Sequence, residues 1–425
     1  MRILHGVSGA ANQPATVSKL QRAAGVEARC ISVSEGDGFG YPADIKLQAG
    51  SDVQESYSDF LRTAIDEYDV FHFYFRSFFF FDPRNNAFPS GLDLLLLRAA
   101  GKTVVVHYRG SEVREASKFK EFSPYNYVAE NPSGIFSKFR EPSLSQRVDF
   151  VRSVANVVLV PDEELASYVP GSRIVRRAID LDDFAPVPHS ETTRPLVIHA
   201  PSRRVVKGTD SILEAVQQLR DEGLEFDFEL IENLPHSEAK ALYSRADVVI
   251  DQVRIGWFGV LALEGMALQK CVLAYVRDDL LHHLGEAPPL VPTNPVQLAD
   301  DLRAVIESQE LRREVAERGR RYIEEHHDAT QIAQQLIDLY ASDEVASRAV
   351  DPGGVLDYLI VQRNDTKNMY RKKFSVISAV KEARSKGDFV AEFRRIQAKQ
   401  GLAPAIRRTA QWAYHRGRAK VRHLR

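Results

Sequence analysis

Short apolar runs recur along the chain, separated by stretches in which apolar residues return every third or fourth position. Ile3 to Val7 reads as a strand, the small residues Ser8 to Asn12 as a loop, Pro14 to Ala24 as a helix closed by Gly25, and Val26 to Val33 as the next strand. The alternation continues with a helix over Tyr57 to Tyr68, a strand over Val70 to Phe75, a helix over Ser90 to Ala100 and a strand over Thr103 to His107. Glu115 to Pro142 carries no regular period; a helix over Ser143 to Ala155 and a strand over Val157 to Val160 follow it. Strands alternating with helices predict a parallel sheet covered on both faces.

The proline-bearing polar stretch Ala185 to Pro195 reads as a linker, after which the alternation restarts. Strands are expected at Leu196 to Ala200, Phe226 to Ile231, Val248 to Asp251 and Val272 to Val276. Helices are expected at Asp210 to Glu222, Ser237 to Arg245, Leu261 to Leu268, Pro295 to Glu307 and Leu311 to His326. The pattern predicts an α/β protein of two Rossmann-like domains, residues 1–185 and 186–345, and ligands in such sheets bind at the carboxyl ends of the strands.

Composition changes this picture at three points. At 425 residues the chain exceeds the roughly 250–300 residues a single core sustains, which supports two domains. The two cysteines, Cys30 and Cys271, each sit in a strand-like run far apart, as buried thiols of a reducing cytoplasm would. No apolar signal region follows Met1, and the run from Val70 to Phe81, broken by His72 and Arg76, is shorter than the roughly 20 residues of a membrane helix. Charge is distributed unevenly: residues 361–425 hold eighteen Lys and Arg against four Asp and Glu, so the net charge of −2 conceals an acidic body. Residues 346–425 therefore read as a basic, mainly helical tail. It suits an anionic partner, a membrane surface or a polyanion, and equally describes a solvated tail or one whose apolar face packs on the first domain; it carries no nucleic-acid recognition module.

Two segments concentrate candidate chemistry. In Ala200-Pro201-Ser202-Arg203-Arg204-Val205-Val206-Lys207-Gly208-Thr209-Asp210 a strand ends, cations follow and a helix begins, which suits a diphosphate and equally describes a solvated basic loop. In Ile255-Gly256-Trp257-Phe258-Gly259-Val260-Leu261-Ala262-Leu263-Glu264 two glycines bracket an aromatic pair, and the helix that follows holds one acid among apolar neighbours. Such a carboxylate is expected either to bind polar groups of a ligand, such as ribose hydroxyls, or to pair with a nearby arginine. The loop holding Gly9, Ala10 and Asn12 lacks the G-x-G-x-x-G spacing of dinucleotide binders. It reads as a close-approach loop on the acceptor side or as a tight turn.

Over roughly residues 1–345 these segments, with Arg176-Arg177-Ala178-Ile179-Asp180-Leu181-Asp182-Asp183-Phe184, resemble the retaining glycosyltransferases of GT-B fold, the group 1 or family 4-like enzymes with two facing Rossmann domains. The resemblance implies that Arg204 and Lys207, with Arg203 beside them, hold the donor diphosphate. It also implies that Glu264 binds the nucleotide ribose and that Gly256, Trp257, Phe258 and Gly259 line the donor sugar. Two departures stand out: Gly256 occupies the place of the family's first glutamate, and Arg109, with His107 two residues earlier, stands where a histidine is common. Which of His107 and Arg109 reaches the reacting sugar is left open, as is the sugar's support by backbone amides at 257–260.

The resemblance thus implies a cytoplasmic transferase, peripheral at the inner membrane face, that moves a sugar from a nucleotide diphosphate to an acceptor hydroxyl with retention. The acceptor would be a glycan or lipid-linked, in cell-surface polysaccharide or glycolipid synthesis. No metal or other cofactor is implied, because cations already face the phosphates. The departures keep two alternatives open: a non-catalytic relative that binds a nucleotide sugar or carbohydrate, and a nucleotide-sugar epimerase on the same fold.

Overall fold

The computed structural model describes residues 1–6, 10–33, 41–47, 53–74, 91–130, 141–187, 192–285 and 287–360. Residues 1–352 form one compact unit, and 353–360 begin a second one that extends beyond the described residues. The end of the apolar run Val70 to Phe81, Gly9 and the basic tail beyond 360 lie outside the described residues.

The first unit contains two parallel sheets. The first comprises β1 (Arg2–Gly6), β2 (Glu27–Val33), β3 (Ile45–Leu47), β4 (Val70–Tyr74), β5 (Thr103–His107), β6 (Val157–Val160) and β7 (Arg173–Ile174), in the order β3-β2-β1-β4-β5-β6-β7. The second comprises β8 (Leu196–His199), β9 (Asp227–Leu230), β10 (Val248–Ile250), β11 (Cys271–Ala274) and β12 (Val291–Pro292), in the order β12-β11-β10-β8-β9. Central strands such as Val157–Val160 and Cys271–Ala274 are buried at every residue, because helices cover both faces. Cys30 and Cys271 are buried free thiols. Strand order reverses between β1 and β4 in the first sheet and between β8 and β10 in the second. Crevices at such reversals are where open parallel sheets take ligands.

Besides short edge strands and single turns, three elements that shape the core or the site depart from the sequence pattern. A short helix, Ala116–Phe122, stands in the stretch expected to be irregular; it buries Ala116 and Phe119. Arg204–Lys207 forms a single helical turn ahead of the helix Thr209–Asp221. The helix Ala329–Ala341 lies outside the helices expected above. It packs against the helix Gln13–Ala23, and Ile332, Leu336 and Tyr340 join Ile3, Val17 and Val105 in the core of the first sheet. The chain therefore crosses between the halves twice, side by side: Ile179 N donates to His327 O at 2.8 Å, and Ala329 N donates to Ile179 O at 3.0 Å. Among the described residues no helix is long and apolar enough to cross a membrane.

Candidate active site

The second sheet's reversal brings the two basic and glycine-rich segments together. From the end of β8 the chain makes the turn Arg204–Lys207; from the end of β10 it runs through Asp251 to Gly259, the N-cap of the helix Val260–Ala267. His199, at the end of β8, fixes this junction: its Nδ1 is 2.8 Å from Ile250 O, and its Nε2 is 2.9 Å from Thr209 Oγ1. Nδ1 therefore carries the proton and Nε2 accepts from the threonine. Burial pushes the His199 pKa down to about 4, so the ring stays neutral.

Lys207 Nζ donates to Asp251 Oδ1 at 2.8 Å and to Gln252 Oε1 at 2.7 Å. Asp251 Oδ2 accepts the Gly259 amide, and Gln252 Nε2 donates to Trp257 O. One fully buried carboxylate thus ties the lysine to the start of the helix. A side chain at Gly259 would put its Cβ 2.9 Å from both Lys207 Nζ and Asp251 Oδ2, so only glycine lets the lysine lie there. Arg204, half exposed, donates through Nε to Glu232 Oε1 at 2.9 Å and through Nη2 to Glu232 Oε2 at 2.5 Å. These contacts leave N–H capacity on both cations, since an ammonium has three donors and a guanidinium five. Arg203 is exposed beside them. A lysine joined to a helix N-terminus at a strand-order reversal, with a half-exposed arginine on the same turn, can bind a diphosphate.

Glu264 lies one turn inside that helix, buried, with Oε1 2.7 Å from His236 Nε2. Its partner is a histidine rather than an arginine. The hydrogen bond to Glu264 raises the His236 pKa above its usual value, against the effect of partial burial. The His236 ring lies 5.4 Å from that of Tyr41, a residue of the first half. Trp257 and Phe258 stack on each other at 5.1 Å and belong to the core of the second sheet, so what they offer a ligand is backbone. Of that backbone, the Gly259 amide is taken by Asp251. Gly256 has φ +102°, and a Cβ there would lie 2.5 Å from Arg277 Cγ. Neither the conformation nor the space admits a glutamate.

On the first sheet, His5, His72, Tyr74 and His107 share one face, as the pairings His5 with His72 and Tyr74 with His107 require. His72 and Tyr74 stack at 4.3 Å, and His107 packs against both at 5.5 and 5.6 Å. His107 is 1% exposed, and burial, followed by the Arg109 charge, holds its pKa well below the usual range. It is a neutral core group. Arg109, only partly buried, lays its guanidinium 4.7 Å from the centre of the Tyr74 ring, and burial lowers its pKa to about 10, so it remains a cation. Ala10 to Asn12 form a 3-10 turn after β1, in which Ala11 and Asn12 both have positive φ. The adjoining Gln13 anchors that turn to the interdomain crossing: its Nε2 donates to Ala178 O at 2.8 Å, and its Oε1 accepts from Ala178 N at 2.7 Å.

Hydrogen bonds therefore join Lys207, Asp251, Gln252 and Gly259 at the β8/β10 reversal; Arg203 and Arg204 stand on the same turn as Lys207, Glu264, within the helix that Gly259 caps, pairs with His236, and Arg109 follows β5 of the other sheet. Asp251, Gln252, Glu232 and His236 were missed in the sequence. The one available signal was polar residues directly after an apolar strand, at Asp251 and Gln252.

Residues 203–338 match the family model described as glycosyl transferase-like. No curated protein matches the chain. Among solved structures, the chain is similar to sucrose-phosphate synthase from Thermosynechococcus elongatus, at 17% identity and TM-score 0.57, with 80% of this chain and 97% of that one covered. It is also similar to HepE from Anabaena in complex with UDP and glucose, at 16% identity and TM-score 0.52, covering 80% of this chain and 99% of that one. A third similar structure is WaaG, a glycosyltransferase involved in lipopolysaccharide biosynthesis, at 14% identity and TM-score 0.51, covering 80% and 100%. At these identities the likeness establishes the shared two-sheet α/β fold.

Proposed function

From a glycosyl transferase-like domain at residues 203–338 set in a GT-B fold, we propose that this protein transfers a sugar from a nucleotide-diphosphate donor to an acceptor hydroxyl, with retention. The carrying observation is the cradle at the β8/β10 reversal. There Lys207 is joined through Asp251 to the N-terminus of the helix Val260–Ala267, Arg204 stands on the same turn as Lys207, and Glu264 lies a turn further into that helix. HepE, whose structure holds UDP and glucose, supports a nucleotide sugar as the donor class.

Cleaving the sugar–phosphate bond leaves an electron pair on a diphosphate oxygen and positive charge on the ring. Arg204, Lys207 and the helix N-terminus stabilise that oxygen; an electrostatic donor of this kind is worth roughly 10²–10³ in rate. They do so without requiring another cation at the phosphates. The acceptor oxygen bonds to the anomeric carbon on the face the diphosphate leaves, and its proton passes to a diphosphate oxygen. No protein nucleophile enters. Glu264 holds the ribose, and Arg109 faces the sugar or acceptor from the first sheet, with the turn Ala10–Asn12 on the acceptor side.

The acceptor is a glycan or lipid-linked hydroxyl in cell-surface polysaccharide or glycolipid synthesis. WaaG's role in lipopolysaccharide biosynthesis supports that context. The basic tail would hold the enzyme at the inner face of the cytoplasmic membrane. Incubation with a panel of nucleotide sugars tests the activity: free nucleoside diphosphate should accumulate only when an acceptor is added. Donor binding without release in any combination would instead favour a binding protein, and interconversion of the sugar without acceptor an epimerase.

A further inference from the structure

The structure assigns to Arg254 a role beyond the cradle itself: we propose that it is the positioning residue that makes the geometry of the diphosphate turn depend on closure of the two halves. Its stem belongs to the second half. Gly208, at φ +80° directly after Lys207, has Arg254 Cγ and Cδ packed where a Cβ would come within 3.0 and 3.2 Å, and Val253 N donates to Lys207 O at 3.1 Å. The turn that carries Lys207 thus rests on residues 253 and 254. Its head belongs to the first half. Arg254 Nε donates to Tyr125 O at 2.9 Å and Nη2 to Asn126 O at 3.0 Å, and Nη1 and Nη2 reach the two Glu130 oxygens at 2.5 and 2.6 Å. Ser123 Oγ returns a hydrogen bond to Arg254 O at 3.3 Å.

A guanidinium shared among two carbonyls and a carboxylate is fixed in direction as well as position. The Arg254 side chain is only 16% exposed, so these bonds are largely shielded from solvent. The neighbouring contacts repeat the arrangement: Arg277 lies 4.6 Å from the centre of the Phe122 ring, and Tyr125 meets Tyr275 edge-on at 5.1 Å. Separating the halves must break the Arg254 bonds, and the freed side chain withdraws the support under Lys207 and Gly208. Closure and diphosphate binding are then reciprocally coupled.

The inference rests on the reading of Lys207 and Arg204 as the diphosphate cradle, and its test separates the two. Calorimetry of the full chain with UDP, GDP and ADP, and with the matching monophosphates, should find one diphosphate that binds. Arg254→Ala should weaken that diphosphate by roughly 5- to 150-fold, the usual range of coupling between sites. Monophosphate affinity should stay unchanged, and small-angle scattering should show a larger radius of gyration. Arg254→Lys should recover only part of the loss. Glu130→Gln, a change at an exposed partner that leaves the fold intact, should weaken diphosphate binding less than Arg254→Ala and add nothing in the Arg254→Ala background. Unchanged diphosphate affinity in folded Arg254→Ala and Glu130→Gln would overturn the role of Arg254 while leaving the cradle standing. Failure of the wild-type protein to bind any nucleoside diphosphate would overturn both.

Discussion

Lys207 Nζ lies 2.8 Å from Asp251 Oδ1, and the carboxylate it meets is completely buried while the lysine keeps 14% exposure. Removing the lysine therefore does two things. It takes a cation from the leaving group, and it strands a buried charge, which costs about 3–5 kcal/mol. Lys207→Met should lose roughly 10²–10³ in turnover and unfold at a clearly lower urea concentration. Arg204→Ala should show a similar loss of turnover with little change in stability, because its pair with Glu232 is half exposed and such pairs contribute about 0–1 kcal/mol. Equal loss of stability in the two variants would show that the Lys207 pair is not buried as described.

Restoring a glutamate at position 256 is expected to fail. At φ +102° with Arg277 Cγ 2.5 Å from the new Cβ, Gly256→Glu should destabilise the protein by about 1–3 kcal/mol for the backbone alone and raise neither donor affinity nor turnover. Arg277→Ala in the same chain relieves the contact but not the torsion, so only part of the stability should return. A gain of activity in Gly256→Glu, measured alongside its melting temperature, would contradict this account.

The strand and helix alternation was readable because strands buried on both faces, such as Val248–Ile250, are bare apolar runs and their helices keep a separate period. Glu264 was readable for the opposite reason, as one acid inside an apolar helix. Its partner was not: His236 begins a different helix, and nothing local marks it. The helix Ala329–Ala341 has an amphipathic sequence, but its packing partner, the helix Gln13–Ala23, lies at the other end of the chain. Local pattern carries no record of such a contact. Likewise, His107 looked available at a strand end, and only the register that stacks it with His72 and Tyr74 shows it enclosed.

The second unit begins at Gly353 within a helical segment over 352–360, whose Leu356, Leu359 and Ile360 are 58, 41 and 48% exposed, directly ahead of the strongly basic residues 361–425. Apolar residues followed by dense positive charge suit an anionic lipid surface, where each cation near the surface contributes about 1 kcal/mol. The full-length protein should co-sediment with vesicles containing phosphatidylserine at low salt, and a chain ending at Val350 should not. Equal sedimentation of both, or competition by a soluble polyanion alone with no vesicle binding, would remove the membrane assignment.

Stability should fall steeply on mild acidification, and the direction follows from which histidines are buried. Burial pushes His5 down to about 4 and holds His72 and His107 well below the usual range, so all three fold in the neutral form. In the unfolded chain a histidine titrates near 6.5. Below that pH the unfolded state binds more protons, so stability is complete above pH ~6.5 and declines toward pH ~4, by about 1.4 kcal/mol per pH unit for each such group. His236 acts in the opposite sense: Glu264 raises its pKa, so its contribution is full below ~6.5 and is lost as pH rises through the raised value. His199 and His327, lowered to about 4 and 3, add to the acid-sensitive side, and these five histidines outnumber His236 and the carboxyls Glu112, Glu164 and Asp301, whose pKa values burial raises and which act in the sense of His236. His72 Nδ1 lies 2.5 Å from Tyr340 OH, a contact between the first sheet and the helix Ala329–Ala341. Urea unfolding should therefore give markedly lower stability at pH 5.0 than at pH 7.5. His72→Gln, which cannot take up the proton, should flatten that slope; an unchanged slope would place the acid sensitivity elsewhere.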